Sequence, residues 1–233
     1  MRVRLPKPLH GWRQFGGEVG IIVIGVLIAL GAEQMVQSFT WQRDVRDFRA
    51  AVDTEIEFDL AGSEYRVQQT PCFERRVSEL TRWSAALHVG RAAPLIREIG
   101  YPNRIIPGTS VWDSRGADLT AHVPMQDRLA YADFYDLLEN QWDLLQGERQ
   151  TWLTLNGFNH ATNLGPEDLI RLDELIFRAK ALNRFIVGDQ VAFAEDIRTL
   201  GLHPNFGRLT STISAPDPEF CKPLLPAGSG ETG

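Results

Sequence analysis

The side chains able to do chemistry are few, and most stand far apart. There are two cysteines, Cys72 and Cys221. Thiol–disulfide exchange normally uses cysteines a turn apart, as in C-x-x-C, and this separation argues against a redox pair. A structural disulfide in an oxidising compartment is the expected state; two free thiols are the alternative. A bridge would pin the C-terminal tail to the start of a helix. It would close a loop of about 150 residues, worth roughly 5 kcal/mol in the chain-entropy account. The five histidines are His10, His88, His122, His160 and His203. None stands at a known metal spacing from another His, Cys or acid. One irregular segment gathers Ser110, Trp112, Asp113, Ser114 and His122. Serine, imidazole and carboxylate carry acyl transfer when nucleophile and base share a hydrogen bond. Clustering of Ser110, Asp113, Ser114 and His122 would therefore mark an enzyme, and dispersal would remove that reading. The bland alternative for His122 is a surface histidine. A loop around Trp112 could also cover a pocket for a small ligand. No G-x-S-x-G elbow, phosphate-cradling glycine loop or H-E-x-x-H occurs. We assign no catalytic residue, no metal ligand and no cofactor. Acid pairs such as Glu55/Asp59 and Glu195/Asp196 read as solvated helix faces. Tyr131, Tyr135, Trp142 and Trp152, along one helix, read as core or interface.

The element that must place all of this is the N-terminal apolar run. Val19 to Ala32 carries no charge, and Phe15–Val36 is interrupted only by Glu18, Glu33 and Gln34. A membrane span needs about 20 mostly apolar residues, so the wider window suffices with both glutamates at headgroup level. Trp12 and Trp41 lie about 29 residues apart, roughly 43 Å of helix, which matches two interfacial aromatic belts. Residues 1–14 hold Arg2, Arg4, Lys7 and Arg13 and no acid. The positive-inside rule places that end in the cytosol. A cleaved signal peptide is the competitor, with Ala29-Leu30-Gly31 as its cleavage site. The long lead with Pro6, Pro8 and Trp12, and the unbroken helical pattern past Gly31, favour an anchor. Either way the same domain is exported. Gly16 and Gly20, and again Gly25 and Ala29, have the small-xxx-small spacing that lets membrane helices pair.

Beyond the span the chain is acidic, within a net charge of −6, and shows no basic stripe. Nucleic acid is excluded as a partner on that ground. Trp41, Val45, Phe48, Val52, Ile56 and Leu60 continue one helical face, predicting a rigid stalk to about Gln69. Pro71 opens a second helix, which Gly90 ends. Residues 91–124 are broken by proline and glycine; a short helix is expected at Pro94–Ile99 and a structured loop after it. A third helix runs from Pro124 to about Leu155, and a last one from Pro166 to Leu200, stopped by Gly201, His203 and Pro204. The fold class expected is all-α: one transmembrane helix continuing into a periplasmic four-helix-type bundle with a long irregular loop. The divisions are 1–14 cytosolic, 15–39 transmembrane, 40–204 extracytoplasmic and 205–233 a tail with mobile last residues.

The stretch Gly17-Glu18-Val19 through Val23-Ile24-Gly25-Val26-Leu27-Ile28-Ala29-Leu30, followed by Trp41 and a charged helix, resembles a broad set of uncharacterised bacterial single-pass membrane proteins. Their N-termini read basic residues, G-E-[IV], then an apolar run ending V-I-G-[IV]-L-I-A-L. The opening Arg4-Leu5-Pro6-Lys7-Pro8-Leu9-His10-Gly11-Trp12 is similar to one subgroup. The match covers about 60 residues. It departs at Gly31-Ala32-Glu33, where many of those proteins have Gln and Asn. The resemblance implies placement in the inner membrane and no catalytic residue. The function expected is a non-enzymatic interaction or scaffold module of the envelope, in contact with the lipid bilayer and with a second copy or an envelope protein. A sensory or ligand-binding domain is the alternative, and an enzyme using the 109–122 loop the third.

Overall fold

The computed structural model describes residues 12–92, 94–161, 164–209 and 219–226. The basic residues Arg2, Arg4 and Lys7 and the final residues 227–233 lie outside these, as do the expectations made for them. Seven helices are present and no strand among the described residues: α1 (Trp12–Gln68), α2 (Thr70–His88), α3 (Ser110–Asp113), α4 (Ala117–His122), α5 (Met125–Asn156), α6 (Pro166–Leu200) and α7 (Phe206–Leu209).

No proline falls within α1, so nothing breaks its ladder over 57 residues, roughly 85 Å at 1.5 Å per residue. Its first half packs against nothing: Ile21, Leu27 and Ile28 are each more than half exposed. This stretch is long and apolar enough to cross a membrane. From Trp41 the same helix turns one stripe inward, and Val52, Ile56 and Leu60 are buried. The bare apolar half and the core-forming half are therefore one continuous helix.

Against the second half of α1, α5 and α6 pair along their lengths, and α2 packs on α6 and reaches α5 through Phe73 and Trp152. The partners Asn140–Asp189 and Gly147–Leu182 give α5 and α6 an antiparallel course. Three apolar clusters result, the smallest built on Ala61 and Tyr65. Of the two large ones, the nearer to the apolar half of α1 is built on Val52, Ile56, Trp112, Tyr135 and Phe193. The farther is built on Phe73, Leu80, Trp152, Leu172 and Phe220. Between them lies a polar layer. Arg66 donates from Nε to Glu148 at 2.8 Å and from Nη2 to both Glu148 and Asn183. Gln141 and Gln190 both donate to Ser63.

α2 ends at Gly90 (φ 67°) and α6 at Gly201 (φ 70°), both in the left-handed region that favours glycine. The helix expected at Pro94–Ile99 does not form. Its amides are used elsewhere: Ile96 N–H donates to Leu224 O, and Ile99 and Gly100 donate to Asn159 and Asn156 side chains. Two short helices, α3 and α4, stand instead within the segment read as loop. Cys72 and Cys221 are disulfide-bonded, with Cα atoms 4.7 Å apart. The segment 219–226 joins the core, with Phe220 and Leu224 buried. Arg76 Nη2 donates to three of its carbonyls, and Leu224 N–H donates to Glu79.

Candidate functional site: a loop clamped to the long N-terminal helix

The residues singled out in the 109–122 segment are held by α1, one by one. Glu55, next to the buried Ile56 and three residues past the buried Val52, accepts from the Val111 and Trp112 amides at 2.9 and 3.2 Å. It also accepts from Ser110 Oγ at 3.3 Å and from Tyr135 Oη at 2.6 Å. One turn on, Asp59 accepts from Gly108 N–H at 2.8 Å. Two carboxylates at i and i+4 thus grip successive amides of one loop. The amides of 111 and 112 lie in the first turn of α3, where a carboxylate is favoured.

Glu55 and Asp59 were expected on a solvated face, and this is corrected: both are buried, Asp59 to 3% exposure. Burial pushes the Asp59 carboxyl up to about 8; Gly108 opposes the shift and Glu55 adds to it. Asp59 Oδ2 has no partner. Burial, then the bond to Glu55, holds the Tyr135 hydroxyl well above the usual phenol range. Glu195, of the second acid pair, is exposed as expected.

Trp112 is a core residue, 8% exposed. Its ring stacks on Tyr135 at 4.9 Å and 6°, and Arg115 lies over it at 3.9 Å. An open cleft of about 480 Å³ borders it, with Thr109, Asp113, Tyr135 and Trp142 in its walls. Asp113 accepts from Thr109 Oγ1 at 2.7 Å, and Ser114 Oγ donates to Val111 O. His122 is exposed, bonds through Nδ1 to Asp118 O, and stacks on Trp41 at 4.0 Å and 9°. No hydrogen bond joins Ser110 or Ser114 to His122, so the segment supplies no nucleophile–base pair. What the arrangement does is mechanical: it fastens α3 and α4 to the core-forming half of α1. A groove of about 800 Å³ runs beside that fastening, walled by Gln34, Ser38, Trp41, Arg46, Arg49 and His122.

The small-residue pairs of α1 have open space where a Cβ would stand at Gly16, Gly20 and Gly25. At 100° per residue, Gly16/Gly20 and Gly25/Ala29 fall on opposite sides of the helix, so one helix–helix contact can use only one pair. Tyr131, Tyr135 and Trp152 are buried and Trp142 half-buried, as read. Sequence reasoning missed the Glu55–Asp59 clamp and the Arg66–Glu148–Asn183 layer. The available signal was register: Glu55 and Asp59 each lie three residues past a buried position of the same stripe, Val52 and Ile56. Among the described residues no group of His, Cys, Asp and Glu is placed to hold a metal ion. Comparison with known proteins returned no matching family, no matching curated protein and no matching solved structure.

Proposed function

We propose that this chain is a non-enzymatic, membrane-anchored interaction module of the bacterial envelope. In this reading the N-terminus is cytosolic, the span lies in the inner membrane, and the outer half of α1 with α2, α5 and α6 forms a periplasmic four-helix-type bundle. The observation that carries it is the continuity of α1, bare over its apolar half and core-forming over the rest. A hinge-free rod of this kind sets the height and angle of a domain above a bilayer, which is what a scaffold requires of its anchor. The bonded Cys72–Cys221 pair supports an oxidising compartment. The resemblance of residues 17–41 to bacterial single-pass anchors supports the same placement. The partner is a second copy, through the open Gly16–Gly20 side of α1, or another envelope protein beside it.

The test is crosslinking in intact membranes with a photoreactive residue at Ser38. A discrete dimer or a single heterologous adduct is the expected result. Recovery of monomer alone would defeat the proposal. Orientation is checked separately: a tag after Gly233 should be cut by protease added to spheroplasts, and a protected tag would reverse the placement.

A further inference from the structure

The groove between α2 and α6 differs from the other clefts in the charge of its rim. It measures about 620 Å³, within the range of roughly 300–1,000 Å³ usual for small-molecule sites. Phe73 and Val77 give it an apolar wall, while Arg82 of α2 and Lys180 and Arg184 of α6 stand over it. Glu74 is the only carboxylate among its lining residues, so three cations and one anion leave the groove two charges positive. The chain as a whole carries a net −6, the opposite sign. None of the three cations has a carboxylate within ion-pair distance among the described residues.

The polar atoms of the wall point the same way. Asn183 lines the groove and is 7% exposed. Its Oδ1 accepts from Arg66 at 2.8 Å, which fixes the amide with its NH2 as the end lacking a protein partner. Asn183 Nδ2 is thus the donor that the groove wall offers. Donors and cations beside an apolar wall suit an acid group attached to a hydrophobic body.

We propose that this groove binds a small dianionic organic molecule with a compact apolar body. Its acid groups meet Arg82, Lys180 and Arg184, Asn183 Nδ2 donates to it, and its body lies on Phe73 and Val77. The site is on the outer domain and does not depend on the anchoring proposal.

The experiment uses the full chain in phosphatidylcholine nanodiscs and titrates naphthalene-1,5-disulfonate by calorimetry, a probe too polar to enter lipid. Naphthalene-1,5-diol and inorganic sulfate are the matched controls, lacking the charge and the apolar body respectively. Saturable one-to-one binding of the disulfonate, tighter than either control, is expected. The Lys180→Ala/Arg184→Ala variant should bind about tenfold more weakly, a change of about 1.4 kcal/mol. Glu74→Gln should bind about threefold more tightly, because it removes the one repulsive charge; a gain of this kind cannot arise from misfolding. No saturable binding, a control binding as well as the disulfonate, or an unchanged affinity in either variant would overturn the proposal.

Discussion

Replacing Asp59 with asparagine should remove a pH dependence from the stability of the outer domain. Asp59 accepts one amide, Gly108, and leaves Oδ2 buried without a partner. Burial dominates its environment and sets its pKa at about 8, with Glu55 one turn away adding to the rise. An unfolded aspartate titrates near ~3.9. Between about pH 4 and pH 8 the folded chain therefore keeps a proton that the unfolded chain has lost. Stability contributed by this group is fully present below about pH 4, falls as pH rises through that window, and is flat above it. Four units at ~1.4 kcal/mol each set an upper bound of about 6 kcal/mol; local relaxation lowers it, so about 2–5 kcal/mol is expected. Asparagine keeps the shape and the acceptor for Gly108 and cannot ionise. The assay is urea unfolding of the full chain in detergent, followed by tryptophan fluorescence from pH 5 to pH 9. At pH 5 the Asp59→Asn variant should match the parent within about 1 kcal/mol, and at pH 9 it should be the more stable by about 2–5 kcal/mol. Parallel curves for the two proteins across that range would refute the reasoning.

Tyr135→Phe should cost about 1–3 kcal/mol in the same assay, because Glu55 loses its shortest donor while the stack on Trp112 is kept. Arg66→Met should cost about 3–5 kcal/mol by leaving Glu148 buried and unpaired, and the Arg66→Met/Glu148→Leu pair should recover most of that loss. Cys72→Ala/Cys221→Ala should lose about 2–5 kcal/mol, and reduction of the parent should reproduce it, since the same bond holds residues 219–226 to α2. Gly20→Ile meets open space in the single chain, so it should leave the unfolding midpoint unchanged and abolish any dimer crosslink through that side of the span.

The regular elements were legible because their signals are local. The stripe from Trp41 to Leu60 and the absence of proline foretold the rod, which ends at Gln68. Pro166 and Gly201 bound α6 where a proline start and a glycine stop should. The segment 94–99 failed the same logic because the Ile99 amide bonds to Asn159, just beyond α5, and the Ile96 amide to the C-terminal segment, partners that lie far off in sequence.

The candidate sites were much less legible. Ser110, Asp113, Ser114 and His122 are neighbours in sequence, yet each is drawn to a different partner. Glu55 and Asp59 carry the charge of a solvent face and the register of a core face. Which of the two prevails depends on whether a loop about 50 residues on brings amides to meet them.

Composition and periodicity alone therefore determined an all-helical chain with an apolar N-terminal rod and two cysteines outside it. These follow from hydrophobic spacing and backbone propensity, which act over a few residues. Only the tertiary structure decided that the cysteines join, that two acids are buried as a clamp, and that three cations gather over one groove. Those outcomes depend on desolvation and hydrogen bonding between segments that meet only when the chain has folded.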